Sequence, residues 1–532
     1  MNKAPRRGTL AAATFTALTG LSTAALAQPA PAPAPAPGPD DEQLGPGEDA
    51  LKDKPDPLRT ALAPQPGGLT FAQVAREAVA TSTSVRSRQA DVEEGRGRTS
   101  QTLVEFFPRL TLTASYTRLS DIEQGSLGGG GAIVGAANEG PVTVGPCPDN
   151  PAIQCVLDSG GLPVQASAFD ISFPTILNQF AFTANLTIPI SDYFLRSVQA
   201  YNAAQHNEKS LELQVEAERL AAAAQAKLAL LDWVLARGAV VVEGLAVESA
   251  KAQLTDAKAT FEVGNASQAD VLRIEAQLAQ AEYTESQARA NETVAEHRLR
   301  TLLHARSDRA FAIGVDVFKE PQIPKVGSVE ELVQESVMAR LELESTTEAR
   351  KALEEADSAT AAGYWPRLDA FADGTLANPN QRIVPSREQF DFTWAVGARL
   401  TWSVNDTFGT LGANRQSRAR VAKLDAQRDA MVDAIRLEVA QAHADISKAV
   451  PNLEAALRGV KAAEESLRVT KKLFAFGKAT GTALVDAENA VTTARLRRLV
   501  AQINVLAAVV RLDHATGRDR ATPRGPVASQ TK

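Results

Sequence analysis

The sequence predicts membrane-type β-strands joined to very long α-helices, in two tandem copies of one unit. Three observations carry that reading: a long stretch with a period of two, three shorter relatives of it, and a repeat spanning most of the 532 residues. The long stretch is 390–404. There Phe390, Phe392, Trp394, Val396, Ala398, Leu400, Trp402 and Val404 alternate with Asp391, Thr393, Ala395, Gly397, Arg399, Thr401 and Ser403. Sustained alternation makes a strand with one apolar face, and this one is about twice as long as a typical globular strand. Aromatics stand at both ends of its apolar side, as in transmembrane barrel strands.

The same alternation recurs at Phe180, Phe182, Ala184, Leu186, Ile188 and Ile190, at Leu110, Leu112, Ala114 and Tyr116, and more weakly across 368–376. Phe182, Leu186, Ile188, Trp394, Leu400 and Trp402 are the expected lipid-facing positions. Four strands cannot close a barrel in lipid, where each unpaired backbone group at an open edge costs several kcal/mol. The chain is therefore expected to share its barrel with copies of itself.

Aromatics make up 5% of the chain, and Ala, Leu, Glu, Gln and Arg dominate long tracts, so much of it reads as extended helix. The formal net charge of −7 argues against a nucleic-acid binder, which would carry a basic face. Lys3, Arg6 and Arg7 precede an apolar run and the small-residue site Ala25-Leu26-Ala27, so 1–27 reads as a secretory signal cleaved before Gln28. No Cys follows that site, which excludes an acylated lipoprotein N-terminus. No other run reaches the roughly 18 apolar residues of a membrane helix. An exported chain with membrane strands and no membrane helix belongs in an outer membrane of the Gram-negative type. Residues 28–68, alternating Pro and Ala and then acidic, read as a disordered tail, and 519–532 as a second one.

The repeat sets the domain plan. Phe106-Phe107-Pro108-Arg109-Leu110 matches Tyr364-Trp365-Pro366-Arg367-Leu368 at an offset of 258, and the helical patterns starting near Phe71 and Val329 share that offset. Phe261-Glu262-Val263-Gly264-Asn265-Ala266-Ser267 matches Phe474-Ala475-Phe476-Gly477-Lys478-Ala479-Thr480 at 213. The offset falls between the paired strands, so the copies differ in that connection: long in the first, 120–178, and short in the second. The units are 69–309 and 329–518, joined by a linker at 310–328 with Pro321 and Pro324. Each unit reads as helix, strand, connection, strand, long helix, glycine turn and return helix. The helix from about 193 to 261 would be about 100 Å long, and the shorter helices before and after it sum to nearly that length. Pro451 interrupts the second long helix and predicts a bend there.

The long connection holds Gly128 to Gly131 without the Gly-Lys-Ser/Thr of a phosphate loop, and reads as a flexible surface loop. It also holds Cys147 and Cys155. Outside the cytosol the two either form a local disulfide, which an oxidising compartment favours, or remain thiols.

This duplicated helix, Pro-Arg-Leu strand, strand and long-helix unit, with its turns at Phe261-x-x-Gly264 and Phe474-x-x-Gly477, resembles the TolC-like outer-membrane efflux proteins over about 69–518. The resemblance implies a mixed fold, a membrane β-barrel plus a long α-helical barrel. It implies a homotrimer sharing one 12-stranded barrel, four strands per protomer. It also implies a periplasmic adaptor and an inner-membrane transporter as partners. The glycine turns then form the periplasmic tip, with Val263, Gly264, Asn265, Ala266, Gly477, Lys478 and Ala479 as the adaptor-docking surface, although a helix reversal alone accounts for both glycines. Family members carry acidic residues lining the pore after the second turn. Asp486 matches one such position, Ala483 stands at the other, and Glu488 is a further acid nearby; a solvated helix face is the competing reading for Asp486. Phe106, Phe107, Tyr193, Phe194, Tyr364 and Trp365 read either as an aromatic girdle or as packing at the strand–helix junction.

The resemblance implies an exit duct of a tripartite efflux pump or type I secretion system. No hydrolase, zincin or Walker motif is present, so neither an enzyme nor a cofactor is expected, and His297 and His304 read as a polar helix face rather than a metal site. A pore-less periplasmic coiled-coil scaffold is the alternative.

Overall fold

A computed structural model of the chain describes residues 56–121, 132–135, 137–168, 176–264, 266–319, 323 and 326–521. The expected signal segment 1–27, Gly128 to Gly131, Asn265, Pro321 and Pro324 lie outside the described residues. Order begins earlier than composition suggests. Asp56 accepts a hydrogen bond from Leu58 N at 3.1 Å and caps helix α1, Pro57–Ala61. Leu58 and Leu62, one helical turn apart, are 2% and 1% exposed. This corrects the tail boundary at residue 68: burying two leucines, each worth about 1.5–3 kcal/mol, outweighs a Pro-rich composition.

Local chemistry starts each copy the same way. Thr70 caps α2, Phe71–Thr81, and Ser82 caps α3, Thr83–Val104. Their counterparts are α7, Val329–Ala339, opened by a capping box between Ser328 and Glu331, and α8, Leu341–Ala361.

The first copy continues through β1, Arg109–Arg118. Its long connection contains β2, Ala132–Gly135, paired with β5, Gln165–Ala168, and between them a hairpin of β3, Thr143–Cys147, and β4, Asn150–Leu157. Part of the expected flexible loop is therefore sheet. The chain returns along β6, Asn178–Ile188, and passes α4, Ile190–Asp192, and a π-helical turn, Tyr193–Ser197, into α5, Val198–Glu262. Helix α6, Gln268–Leu302, comes back. The second copy runs β7, Arg367–Asn378, β8, Asp391–Thr401, α9, Val404–Ala475, and α10, Gly481–Thr516. A short 3-10 helix, Arg518–Ala521, carries order slightly past the expected boundary at 518.

At 65 and 72 residues, α5 and α9 span about 100 Å each. Helices α3 and α6 both pack along α5, and α8 and α10 along α9; α5 also meets α8 and α10, so the copies interleave. Helix α9 continues through Pro451 without ending there. Seventy-two residues offer enough neighbouring turns and packing to absorb one lost backbone bond.

The largest apolar cluster holds 20 buried residues, Trp233, Leu230, Leu299 and Leu499 among them, and takes in α1 and the segment around Phe311 to Val317. Near the glycine turns the cluster has four: Ala257, Ile274, Phe474 and Leu484.

Candidate functional site: the sheet faces and the paired turns

Strands β1, β6, β7 and β8 form one antiparallel sheet in that order, with β1 and β8 at its edges. The register places Leu110, Leu186, Ala372 and Val396 in one rung and Leu112, Ala184, Gly374 and Trp394 in the next. All even-numbered strand residues thus share one face. That face is apolar up to the loop-side end, where Arg118 and Tyr116 both donate to Asn178 Oδ1, at 3.0 and 3.1 Å. Phe182, Trp394, Leu400 and Trp402 are 51, 67, 68 and 60% exposed on it. Leu186 and Ile188 are half-buried. Five of the six sequence-predicted positions therefore lie in one register, and Trp402 follows directly on the end of β8.

Aromatics bound this face. Tyr116, Phe180, Phe182 and Phe390 cluster at the loop-side end, with ring centroids 4.9 to 6.4 Å apart. Trp402 marks the other end. From Phe390 to Trp402 is about 40 Å along an extended strand, or about 30 Å along a membrane normal at barrel tilt. The opposite face is polar. Its rungs read Arg109, Thr187, Phe371, Gly397; then Thr111, Asn185, Asp373, Ala395; then Thr113, Thr183, Thr375, Thr393.

The six junction aromatics divide between their two readings. Phe106 stacks on Tyr193 with centroids 6.4 Å apart, and Tyr364 Oη accepts from Asn414 Nδ2 at 2.9 Å, so these three pack the junction. Phe107, Phe194 and Trp365 are exposed. A cleft of about 710 Å³ opens here, lined by Arg196, Trp365, Arg367, Trp402 and Asp406 among others.

The two turns are built alike. Gly264 has φ +79° and Gly477 φ +67°, a backbone region that favours glycine. Each donates its N–H to the carbonyl of the phenylalanine three residues before it, Phe261 or Phe474, at 2.9 Å. Val263 and Lys478 are exposed, and Ala266 and Ala479 half-buried. The copies differ in packing: Phe474 is buried and Phe261 is 45% exposed.

Sequence reasoning missed the contact that ties the turns together. Asp270 closes a capping box with Ser267 at the start of α6, and its Oδ1 also accepts from Gly481 N, the first residue of α10, at 3.0 Å. A Cβ on Gly481 would sit 2.7 Å from that oxygen, so a larger residue there would push the carboxylate aside. The Ser267-x-x-Asp270 pattern signals the box, but nothing local signals its reach to residue 481. The Ser267 hydroxyl, above all, holds the Asp270 carboxyl below its usual range; burial works the other way, and the Ser267 and Gly481 amides and Arg273 help lower it.

The acids after the second turn separate. Asp486 is exposed. Glu488 is 4% exposed, accepts from Gln253 Nε2 at 2.8 Å and lies 3.7 Å from Lys471 Nζ, so it binds α10 to α5 and α9. In the long connection the Cys147 and Cys155 sulfurs are bonded, their Cα atoms 5.0 Å apart across β3 and β4. Beside them Asp158 accepts from the backbone N–H groups of Asn138, Gly160 and Leu162 and from the Asn138 amide. No group of three or more metal-ligating side chains occurs among the described residues.

The family model for outer membrane efflux proteins matches residues 147–304 and 332–518, one segment in each copy. The chain belongs to the outer membrane efflux protein family. This efflux protein is homologous to efflux-pump components, resides in the outer membrane and extends into the periplasm. Its fold is that of solved outer-membrane channels. It is similar to the channel OprN with a TM-score of 0.64 and 16% identity, over 86% of this chain and 95% of that one. It is similar to CusC with 0.65 and 14%, over 84% and 92%. It is similar to VceC from Vibrio cholerae with 0.63 and 16%, over 84% and 96%. No curated protein sequence matches it.

Proposed function

We propose that this efflux protein is the passive exit duct of a tripartite efflux pump or type I secretion system. In this reading three copies pool their sheets into one 12-stranded barrel, and their helices continue as a tube to the periplasmic tip. The single observation that carries it is the sheet: four strands with one exposed apolar face and two edges, β1 and β8, each paired on one side only among the described residues. In lipid those edges need partners, and identical copies supply them head to tail until the ring closes. A pore-less scaffold leaves the apolar face and its aromatic borders without a purpose.

The tip is the gate in this proposal. Val263, Gly264, Asn265, Ala266, Gly477, Lys478 and Ala479 form the adaptor-docking surface, and Asp486, projecting from α10 close behind, lines the constriction. Energy comes from the inner-membrane transporter, so the duct does no chemistry of its own. Opening exchanges one packing of the tip helices for another, and the small apolar cluster there keeps the two close in free energy. Purified protein reconstituted in a planar bilayer should give single-channel currents and migrate as a heat-modifiable trimer. A folded trimer with no conductance would overturn the proposal.

A further inference from the structure

The polar face of the sheet carries Arg109, Arg367 and Arg399 against Asp369, Asp373 and Asp391. Most of these charges are engaged. Arg367 lies 2.9 Å from Asp369 and 3.5 Å from Asp192. Arg387, in the short connection, forks onto Asp391 at 2.8 and 3.0 Å. Asp373 accepts from Asn185 Nδ2.

Arg399 has no ion pair among the described residues, although its register partner is Asp369. Its guanidinium lies instead over the ring of Phe371, 5.1 Å from the centroid. Phe371 can lie flat there because its own register partner is Gly397, where a Cβ would come within 2.8 Å of the ring. Glycine, ring and guanidinium thus form a stack on the wall. The stack occupies one face of the guanidinium and leaves its N–H donors, which are geometrically suited to a carboxylate or phosphate, without acceptors among the described residues. Asp373, the acid not neutralised by a cation, is four strand residues from Asp369 and hence about 13 Å along the strand. That exceeds the screening length of about 8 Å at physiological salt.

We propose that Arg399, propped on Phe371, is an anion-binding position of the barrel interior that favours passage of carboxylate- and phosphate-bearing solutes. It rests on the conduit reading above, in which the polar face lines the lumen. Three copies would set three such guanidiniums around the axis, and rings of arginine confer anion preference on a pore. The preference would oppose that of Asp486 at the tip, so the two ends of the duct would sort ions by different signs.

The test is the reversal potential of reconstituted trimers in a KCl gradient, with Asp486→Asn as the common background. Arg399→Gln should lower the chloride-to-potassium permeability ratio about twofold or more, and Arg399→Lys should retain most of it. Phe371→Leu, which removes the prop and keeps the charge, should fall between them. Inorganic pyrophosphate added on the loop side should reduce the potassium current of the unmutated protein, which gives a readout even if a variant fails to assemble. Equal ratios for Arg399→Gln and its background, or currents indifferent to pyrophosphate, would overturn the proposal while leaving the conduit intact. Absence of any current from folded trimers would instead sink the conduit reading.

Discussion

Asp270 Oδ1 accepts the backbone N–H of Gly481 at 3.0 Å, so the first glycine turn caps the helix that leaves the second. The bond spans 211 residues of sequence and lies next to a cluster of only four buried apolar residues. Asp270→Ala removes this bond and the capping box together, a loss of about 1–2 kcal/mol local to the tip. Hydrogen exchange at the amides of 478–484 should accelerate, and single-channel recordings should show more frequent opening. Unchanged exchange at Gly481 would show that the cap carries no stability.

The same carboxyl should make the paired turns acid-sensitive. Its folded-state pKa lies below that of the unfolded chain, chiefly through the Ser267 hydroxyl. It therefore stabilises the tip at every pH above the ordinary aspartate range, and that contribution is lost as pH falls from there through the lowered value. Open probability should rise on acidification below pH about 4 in the unmutated protein. The Asp270→Ala variant should lack that component of the rise.

Each copy contains one clamp of the same design. Arg309 forks onto Glu77 at 2.7 and 3.1 Å, and Arg518 onto Glu335 at 2.7 and 2.8 Å, in both cases fastening the chain after the return helix to the copy's first helix. Their side chains are about a third exposed, so bidentate geometry is tempered by screening and each pair should contribute about 0.5–1 kcal/mol. Double-mutant cycles within a pair should report that coupling. Cycles between the pairs, which share no partner, should report additivity.

Adjacent residues on β8 should respond in opposite ways. Val396 belongs to the apolar face and is 67% exposed, whereas Ala395 faces the polar side in the rung of Asp373. Val396→Arg sets a charge against lipid at mid-strand, at a cost of about 2–4 kcal/mol, and should abolish heat-modifiable trimers. Ala395→Arg gains Asp373 as a neighbour and should assemble normally. Normal assembly of both variants would mean that the even-numbered face does not meet lipid.

What the sequence disclosed follows from period and offset. Four strands fell into one even-numbered register because membrane strands alternate strictly, and the 258-residue offset carried Thr70 onto Ser328 as equivalent helix caps. Contacts that join distant turns leave no such trace. Asp270 looks like an ordinary capping residue until Gly481 is placed beside it. Leu58 and Leu62 form no periodic pattern that would stand out from the Pro-rich composition around them, and only the three-dimensional core shows that they are buried. Phe261 and Phe474 occupy equivalent positions, but one is exposed and the other buried, because the two copies pack against different neighbours.

Asp486 and Glu488 mark the same limit and allow a clean separation of roles. Long helices packed on more than one side have no single apolar stripe, so sequence could not say which of two acids two residues apart turns inward. Glu488 is the buried one, held by Gln253 and near Lys471. Glu488→Ala takes from the Gln253 amide its 2.8 Å acceptor, leaving it Ser249 Oγ at 3.2 Å, and should cost about 1 kcal/mol, read as a lower unfolding temperature of the protein. Asp486→Asn removes an exposed charge and should change stability by less than about 0.5 kcal/mol. It should, however, lower cation preference in the bilayer, because an acidic ring at a narrow pore attracts cations. If Asp486→Asn destabilised the protein and left selectivity untouched, Asp486 would be a structural residue and the constriction would lie elsewhere.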